Sequence, residues 1–90
     1  MFYVYVLRSD AGKFYIGYSS DLRRRMKEHQ SRRVLTTKSA HYELVYYEAY
    51  KNKADAVGRE VFLKSGSGHR FLKKQLKHFL EEDIHSAGIV

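Results

Sequence analysis

Residues 2–18 of this 90-residue chain read FYVYVLRSDAGKFYIGY, and this stretch decides the fold. β-Branched and aromatic residues fill both of its ends, a composition typical of β-strands. Between them, Asp10-Ala11-Gly12-Lys13 predicts a turn, because Gly12 can adopt a positive φ angle. The stretch therefore predicts a β-hairpin whose second strand begins at Phe14.

After the hairpin, the chain predicts a helix and a third strand. Ser19 or Ser20 followed by Asp21 predicts a helix start, with a hydroxyl cap and an acid in the first turn. That helix is expected to run to about residue 30 or 31, at the end of the basic segment. Residues 41–50, HYELVYYEAY, then predict the third strand.

Two further helices are predicted after the third strand. Asn52 is the expected cap of the second helix. The predicted buried stripe of that helix consists of Ala54, Val57 and Val61. Ser67 is the expected cap of the third helix, whose apolar residues recur at helical spacing. These residues are Leu72, Leu76, Phe79 and Leu80.

The element order is thus β-β-α-β-α-α, which predicts an α+β fold with a three-stranded antiparallel sheet and flanking helices. The first helix is expected to cross between the second and third strands. A chain of 90 residues fits one domain, which we assign to residues 1–83. Residues 84–90 show no periodic pattern and predict a frayed tail.

The composition excludes several classes of protein. The chain contains no cysteine, so it has neither disulfides nor cysteine-ligated zinc. Hydrophobic residues make up 43% and aromatic residues 14%, which is typical of a globular protein. No apolar run reaches the roughly 18 residues of a membrane span. The N-terminal residues lack the pattern of a signal peptide, so we expect a cytoplasmic protein with no obligate protein partner.

The charge indicates a polyanionic partner. Lysine and arginine number 17 against 10 acidic residues, a net charge of +7, and residues 1–45 carry nine of these basic residues against four acids. Most of the excess lies in residues 23–27, RRRMK, and in Arg32-Arg33. Such a run is either a solvated helix face or a patch that binds the phosphates of DNA or RNA.

Two residues of the first helix share the side predicted to face the sheet. Arg25 follows Leu22 by three residues, and His29 follows Met26 by three and Arg25 by four. An arginine directed towards the protein body needs an anionic partner. That partner is either an internal carboxylate or a bound phosphate.

Tyrosines and one acid complete the set of candidates. Tyr5 and Tyr15 lie on the two hairpin strands, where tyrosines serve either as core residues or as site residues. Glu60 is predicted at the edge of the buried stripe of the second helix, an awkward position for an unpartnered carboxylate. It either pairs with Lys64 or Arg59, or holds a divalent cation beside a phosphate.

Five short segments follow one another in order. They are Tyr3-Val4-Tyr5, Tyr15-Ile16-Gly17, DLRRRMKEH at 21–29, ELVYYE at 43–48, and residues 54–66 with Glu60. Together they resemble the GIY-YIG nuclease superfamily, and within it the small stand-alone bacterial proteins related to the N-terminal domain of the excision-repair nuclease subunit. The first segment departs from the family pattern, because Tyr3 stands where the name-giving glycine is expected.

The resemblance implies a division of labour among the candidates. Tyr5 and Tyr15 would border the attacking water, one of them acting as, or relaying to, the general base, or only orienting a water activated by the cation. Arg25 would hold the scissile phosphate, His29 would assist in proton transfer or phosphate contact, and Glu60 would bind one Mg²⁺ or Mn²⁺. The residues implied to contact the nucleic-acid backbone are Arg23, Arg24, Lys27, Arg32, Arg33, Lys38 and Lys64.

The implied activity is hydrolysis of DNA phosphodiester bonds by a metal-dependent endonuclease. It would be directed by DNA structure or damage, with little sequence specificity, and would serve DNA repair. Two alternatives stay open at this point. One is a DNA- or RNA-binding module on the same fold with little or no turnover, and the other is a regulatory protein whose tyrosines serve only the core.

Overall fold

A three-stranded antiparallel sheet with its first strand in the centre forms the middle of the protein. The structure is a computed structural model that describes residues 1–31 and 41–86, with side chains described up to residue 82. The elements are β1 (Phe2–Ser9), β2 (Phe14–Ser19), α1 (Leu22–Gln30), β3 (Tyr42–Tyr50), α2 (Lys53–Lys64), α3 (Gly66–Gln75) and α4 (Lys77–Ser86). This arrangement confirms the predicted α+β fold.

The register of the sheet separates two faces. Tyr5 of β1 lies opposite Gly17 of β2 and Tyr47 of β3, so these three positions share one face. Val4 and Val6 point to the other face, where they pack with residues of β2, α2, α3 and the α3–α4 junction. The buried cluster consists of Val4, Val6, Ile16, Ala56, Leu63, Leu72 and Leu76.

The turn of the hairpin forms as predicted. Gly12 has a φ angle of 84°, a value that side-chain-bearing residues rarely adopt. The amide of Gly12 donates to the carbonyl of Ser9 at 2.9 Å, and the amide of Ser9 donates to the carbonyl of Lys13 at 2.8 Å. These bonds close the connection between β1 and β2.

The start of α1 differs from the prediction in one respect. The cap is the carboxylate of Asp21, which accepts a hydrogen bond from the amide of Arg24 at 3.0 Å, and not a serine hydroxyl. The hydroxyl of Ser19 instead accepts from the amide of Asp21 and donates to its carbonyl, both at 3.0 Å. Three hydrogen bonds therefore fix the residue at which α1 begins.

The predicted stripe of α2 is wrong. Val57 and Val61 are 39% and 66% exposed, whereas Ala56 and Leu63 are fully buried. The inward stripe reads Ala56, Glu60, Leu63, at helical spacing. Because Glu60 in the middle of this stripe is charged, the pattern of hydrophobic residues does not reveal which face of α2 points inward.

The predicted third helix is two helices, α3 and α4. The backbone leaves helical geometry at Leu76, with φ −103° and ψ 23°, yet the Leu76 amide still donates to the carbonyl of Leu72. The apolar spacing therefore continues across the break and cannot reveal it. The cap of α3 is Ser65, whose hydroxyl accepts from the amide of Gly68, and not Ser67.

Helix α4 is the last element in the described part of the chain. α4 includes residues 84–86, and residues 87–90 lie outside the described part of the chain. The boundary at residue 83 stays a prediction. None of the helices in the described part is long and apolar enough to cross a membrane.

Candidate active site

Tyr5 is the centre of the candidate site. Its side chain is fully buried, and its ring lies over Gly17 on the neighbouring strand. A β-carbon at position 17 would stand 2.8 Å from Cε2 of Tyr5 and closer still to its Cζ and Oη. Glycine at this position therefore makes room for the tyrosine ring.

Helix α1 brings Arg25 and His29 to this phenol. Nε of Arg25 donates to Oη of Tyr5 at 3.2 Å, and Nε2 of His29 lies 3.0 Å from the same oxygen. The two residues are one helical turn apart, so a single helix face presents both. We call Tyr5, Arg25 and His29 the phenol trio.

The electrostatics of the trio favour a neutral histidine and a protonated phenol. Burial lowers the pKa of His29 below its ordinary value, and the charge of Arg25 lowers it further, against a smaller opposite effect of Glu28. Burial raises the pKa of Tyr5, although the hydrogen bond from Arg25 opposes that rise. An oxygen that accepts from Arg25 can donate its own proton to an unprotonated Nε2 of His29.

Arg25 pairs with an internal carboxylate, one of the two kinds of partner that the sequence allows. Its Nη1 donates to Oε1 of Glu28 at 3.0 Å, and these two side chains are about one-third exposed. Hydrogen bonds to Tyr5 and Glu28 raise the pKa of Arg25, so the guanidinium stays charged. Among residues 1–31 and 41–82, no group bonds to Nη2 of Arg25, which leaves that end of the fork available to an anion.

Tyr15 lies beside the trio and is half-buried. Its ring centroid is 5.3 Å from that of His29 and 6.4 Å from that of Tyr5. A third ring, that of Tyr42, packs edge-on against Tyr15 at 6.3 Å. The structure thus brings both predicted tyrosines together with Arg25 and His29.

Glu60 lies on the inward stripe of α2; burial is the main cause of the raised pKa of Tyr5, and the charge of Glu60 adds the weakest of the effects on that phenol. The carboxylate of Glu60 is 20% exposed and forms an ion pair with Lys64 at 3.1 Å. Pairing with Lys64 is one of the alternatives that the sequence predicts. No group of three or more histidine, aspartate or glutamate side chains in the described part of the chain could hold a metal ion. A partly buried single carboxylate nevertheless fits Mg²⁺ or Mn²⁺, since such ions take one or two carboxylates and complete their shell with phosphate oxygens and water.

The predicted backbone-binding residues divide into two groups. Arg23, Arg24 and Lys27 are exposed on α1, and Lys64 is 56% exposed on α2. Arg32, Arg33 and Lys38 lie outside the described residues. The exposed basic residues of α1 lie on other sides of the helix from Arg25, where phosphates other than the one at Arg25 could reach them.

Sequence reasoning missed a polar network that anchors α2 to β3. The carboxylate of Glu48 accepts from Arg59 Nε at 2.9 Å and Nη2 at 3.2 Å, and from the hydroxyls of Tyr46 and Tyr50. Burial alone would raise the pKa of Glu48, but the hydrogen bonds from Arg59, Tyr46 and Tyr50 lower it below its ordinary value. Burial and the hydrogen bond to Glu48 raise the pKa of Tyr46 to about 12. The alternation of Tyr46, Glu48 and Tyr50 along a strand was the available signal, because it places all three on one face.

The same arginine is also held by two aromatic rings. The guanidinium of Arg59 lies 4.9 Å from the ring centroid of Phe62 and 4.5 Å from that of Phe71. Arg59 therefore connects β3, α2 and α3 through one side chain. Its neighbour in sequence is Glu60, so this connection also fixes where the candidate metal ligand stands.

The fold is that of a nuclease-type domain, as a comparison with known families shows. The chain belongs to the GIY-YIG family, since residues 1–75 match the GIY-YIG catalytic domain. It is similar to a UPF0213 protein of Streptococcus pneumoniae, with 34% identity over 90% of this chain and 79% of that protein. It is also similar to UPF0213 proteins of Limosilactobacillus reuteri (28%, over 92% and 86%) and Staphylococcus epidermidis (32%, over 79% and 89%). No solved structure matches the chain significantly.

Proposed function

We propose that this protein is a metal-dependent endonuclease that hydrolyses DNA phosphodiester bonds, directed by DNA structure or damage and not by base sequence. The observation that carries this proposal is the phenol trio, in which Arg25 and His29 both bond to Oη of Tyr5. The proposal includes a cytoplasmic location and a role in DNA repair. Family membership supports the nuclease class.

Arg25 is the residue that we assign to the scissile phosphate. Its Nε and Nη1 are held by Tyr5 and Glu28, so the guanidinium is fixed before substrate arrives. The remaining end of the fork can donate to a phosphate oxygen and stabilise the charge that develops there. Lysine would supply the charge without this planar geometry.

Proton transfer is assigned to Tyr5 and His29, with Tyr15 orienting the attacking water. Tyr15 has access to solvent, whereas Tyr5 is fully buried. Because Tyr5 is buried, the water bonds to the hydroxyl of Tyr15, and its proton passes through the two phenols to Nε2 of His29 as the new P–O bond forms. The same relay returns a proton to the oxygen that leaves when the old P–O bond breaks. The charged Arg25 stabilises the phenolate character that develops on Tyr5 during this exchange.

Glu60 is the residue that would hold one Mg²⁺ or Mn²⁺. When bound, such an ion neutralises charge on the reacting phosphate. Glu60 must first leave Lys64, and helical ion pairs of this spacing stabilise by only about 0.3 to 0.5 kcal/mol. Because the Lys64 end of the pair is 56% exposed, the pair opposes binding of a cation only weakly.

The exposed basic residues would follow the DNA backbone. Arg23, Arg24, Lys27 and Lys64 contribute to this face, and the proposal extends it to Arg32, Arg33 and Lys38, outside the described part. Contacts to phosphates carry no sequence information, so we expect salt-sensitive binding with little sequence preference.

The test is a cleavage assay on nicked, flapped, branched, single-stranded and intact duplex DNA, with Mg²⁺, Mn²⁺ or a chelator. Cleavage should need the cation, and Arg25→Lys and Glu60→Gln should each lower the rate about 100-fold or more. The matched controls are Arg70→Lys, at an exposed position on α3, and Glu43→Gln, an exposed acid on β3. Equal losses in the controls, or cleavage that survives Glu60→Gln with chelator, would contradict the proposal.

A binding module without turnover is the second candidate, and the Glu60–Lys64 pair is the observation that favours it. It predicts salt-dependent DNA or RNA binding and no cleavage of any substrate in the panel. Glu60→Gln separates the two candidates, because binding measured with chelator should stay within a fewfold of the parent while cleavage is lost.

A further inference from the structure

A groove of about 780 Å³ runs between α1 and the sheet, beside the phenol trio. Its sheet side carries Tyr3 and Tyr47, whose rings meet edge-on with centroids 6.2 Å apart. Its helix side carries Met26, with Arg23 and Lys27 at the same wall. Aromatic and aliphatic side chains thus line the groove together with polar and charged ones, a lining that suits a ligand with both a flat apolar part and an anionic part.

The groove has the chemistry of a site for nucleobases. Tyr47 is 53% exposed, so its ring is accessible to a stacking partner. Bases of every kind stack on such rings, and basic groups beside the rings bind the phosphates that the bases carry. Among the described residues that line the groove, the acidic side chain is that of Asp21, which accepts a hydrogen bond from the amide of Arg24 at the helix cap.

The position of the groove relates it to the phosphate assigned to Arg25. Tyr47 is the direct cross-strand neighbour of Tyr5, and Tyr3 precedes Tyr5 by two residues on the same face of β1. Arg23 and Lys27 lie two positions from Arg25, on another side of α1, where they form a wall of the groove. The sheet face that carries Tyr5 and Tyr47 therefore joins Arg25 to the groove, and a DNA strand bound at Arg25 can follow that face.

We infer that this groove binds one or two unstacked bases of single-stranded DNA next to the phosphate that is cut. The inference rests on the proposed function for its choice of DNA, and it narrows the substrate to DNA that is unpaired at the cut. Bases in an intact duplex are stacked inside the helix and cannot enter the groove unless they are extruded.

Binding is tested without cleavage, by fluorescence anisotropy of labelled oligodeoxythymidine in the presence of chelator. Tyr47→Ala should weaken binding by about tenfold or more, as expected for one lost stacking partner, whereas Tyr47→Phe should stay within about twofold. The matched control is Val61→Ala, which truncates a more exposed side chain on α2. Circular dichroism of each variant verifies that the fold is intact.

Photocrosslinking supplies a second readout that does not depend on affinity. An oligonucleotide carrying 5-iododeoxyuridine should crosslink to Tyr3 or Tyr47, as identified by mass spectrometry, and duplex DNA of the same sequence should not. Crosslinks confined to other residues, or equal binding by Tyr47→Ala and the parent, would overturn the inference. Tighter binding of an RNA oligomer of the same sequence would overturn the assignment to DNA.

The two proposals fail in different ways. If Tyr47→Ala lost oligonucleotide binding and the parent cleaved no substrate, the proposal for the groove would stand and the proposal of nuclease activity would be rejected. If intact duplex were cleaved efficiently, and equally well by Tyr47→Ala, the proposal of nuclease activity would stand and the proposal for the groove would be rejected.

Discussion

Replacement of Gly17 by alanine tests the packing that places Tyr5. The new methyl group would lie 2.8 Å from Cε2 of Tyr5 and closer to Cζ, so one of the two strands or the ring must shift. The ring cannot move freely, because it is fully buried and its oxygen bonds to Arg25 and His29. Overpacking costs about 1 to 3 kcal/mol.

Two further effects contribute to the expected change in the free energy of unfolding. Alanine in a strand is favoured over glycine by about 0.5 to 1 kcal/mol, which opposes the clash. Displacement of Oη weakens hydrogen bonds whose loss costs about 1 to 1.5 kcal/mol each. We therefore expect Gly17→Ala to lower the free energy of unfolding by about 2 kcal/mol.

The assay is urea unfolding, in which the midpoint should fall while the m-value stays constant. The matched control is Gly58→Ala on α2, where an added β-carbon meets no atom within 4 Å and should stabilise by about 0.5 to 1 kcal/mol. In a Tyr5→Leu background, which lacks Cζ and Oη, Gly17→Ala should lose most of its effect. If Gly17→Ala were as stable as Gly58→Ala, the ring would not lie over position 17 and the reasoning would be refuted.

Two other predictions concern charge. The pKa of His29 in the folded protein is below its ordinary 6.5, so the unfolded chain binds a proton first as the pH falls. The contribution of His29 to the free energy of unfolding is therefore fully present above pH 6.5 and decreases as the pH drops towards the pKa of the folded state. Urea titrations at pH 5 to 7.5 should show this decrease in the parent and not in His29→Asn. Parallel curves for parent and variant would contradict this assignment. Arg59→Lys should lower the free energy of unfolding by about 1 to 2 kcal/mol, since lysine cannot bond bidentately to Glu48 and loses the stacking on Phe71. Urea unfolding measures the loss, with Lys53→Arg on the exposed start of α2 as control, and a change within error would show that the pair does not anchor the helix.

The strands and α1 were predictable because their signals are local. A run of β-branched and aromatic residues around Gly12 predicts the hairpin without knowledge of the rest of the chain. The phase of α2 was not predictable from its apolar residues, since Arg59 and Glu60 occupy inward positions and a hydrophobic pattern cannot show that Arg59 has its partner, Glu48, on β3. The break at Leu76 has no signal, because neither glycine nor proline marks it and the apolar spacing continues through it.

The candidate site was predictable in part for a related reason. Arg25 and His29 lie on one helix, so their shared face follows from spacing alone. Their meeting with Tyr5 depends on how α1 crosses the sheet, which spacing does not determine. The groove lined by Tyr3 and Tyr47 was missed, because its two walls come from elements distant in sequence and neither wall has an unusual pattern of its own.

The hydrogen bonds at Ser19 and Asp21 have a consequence for changes in chain length. They fix the rotational phase of α1, and each residue of a helix advances that phase by about 100°. One residue inserted between Ser20 and Leu22 would leave composition and charge almost untouched. It would nonetheless turn Arg25 and His29 away from the phenol, so the length of this short connection is as much a requirement of the site as the side chains themselves.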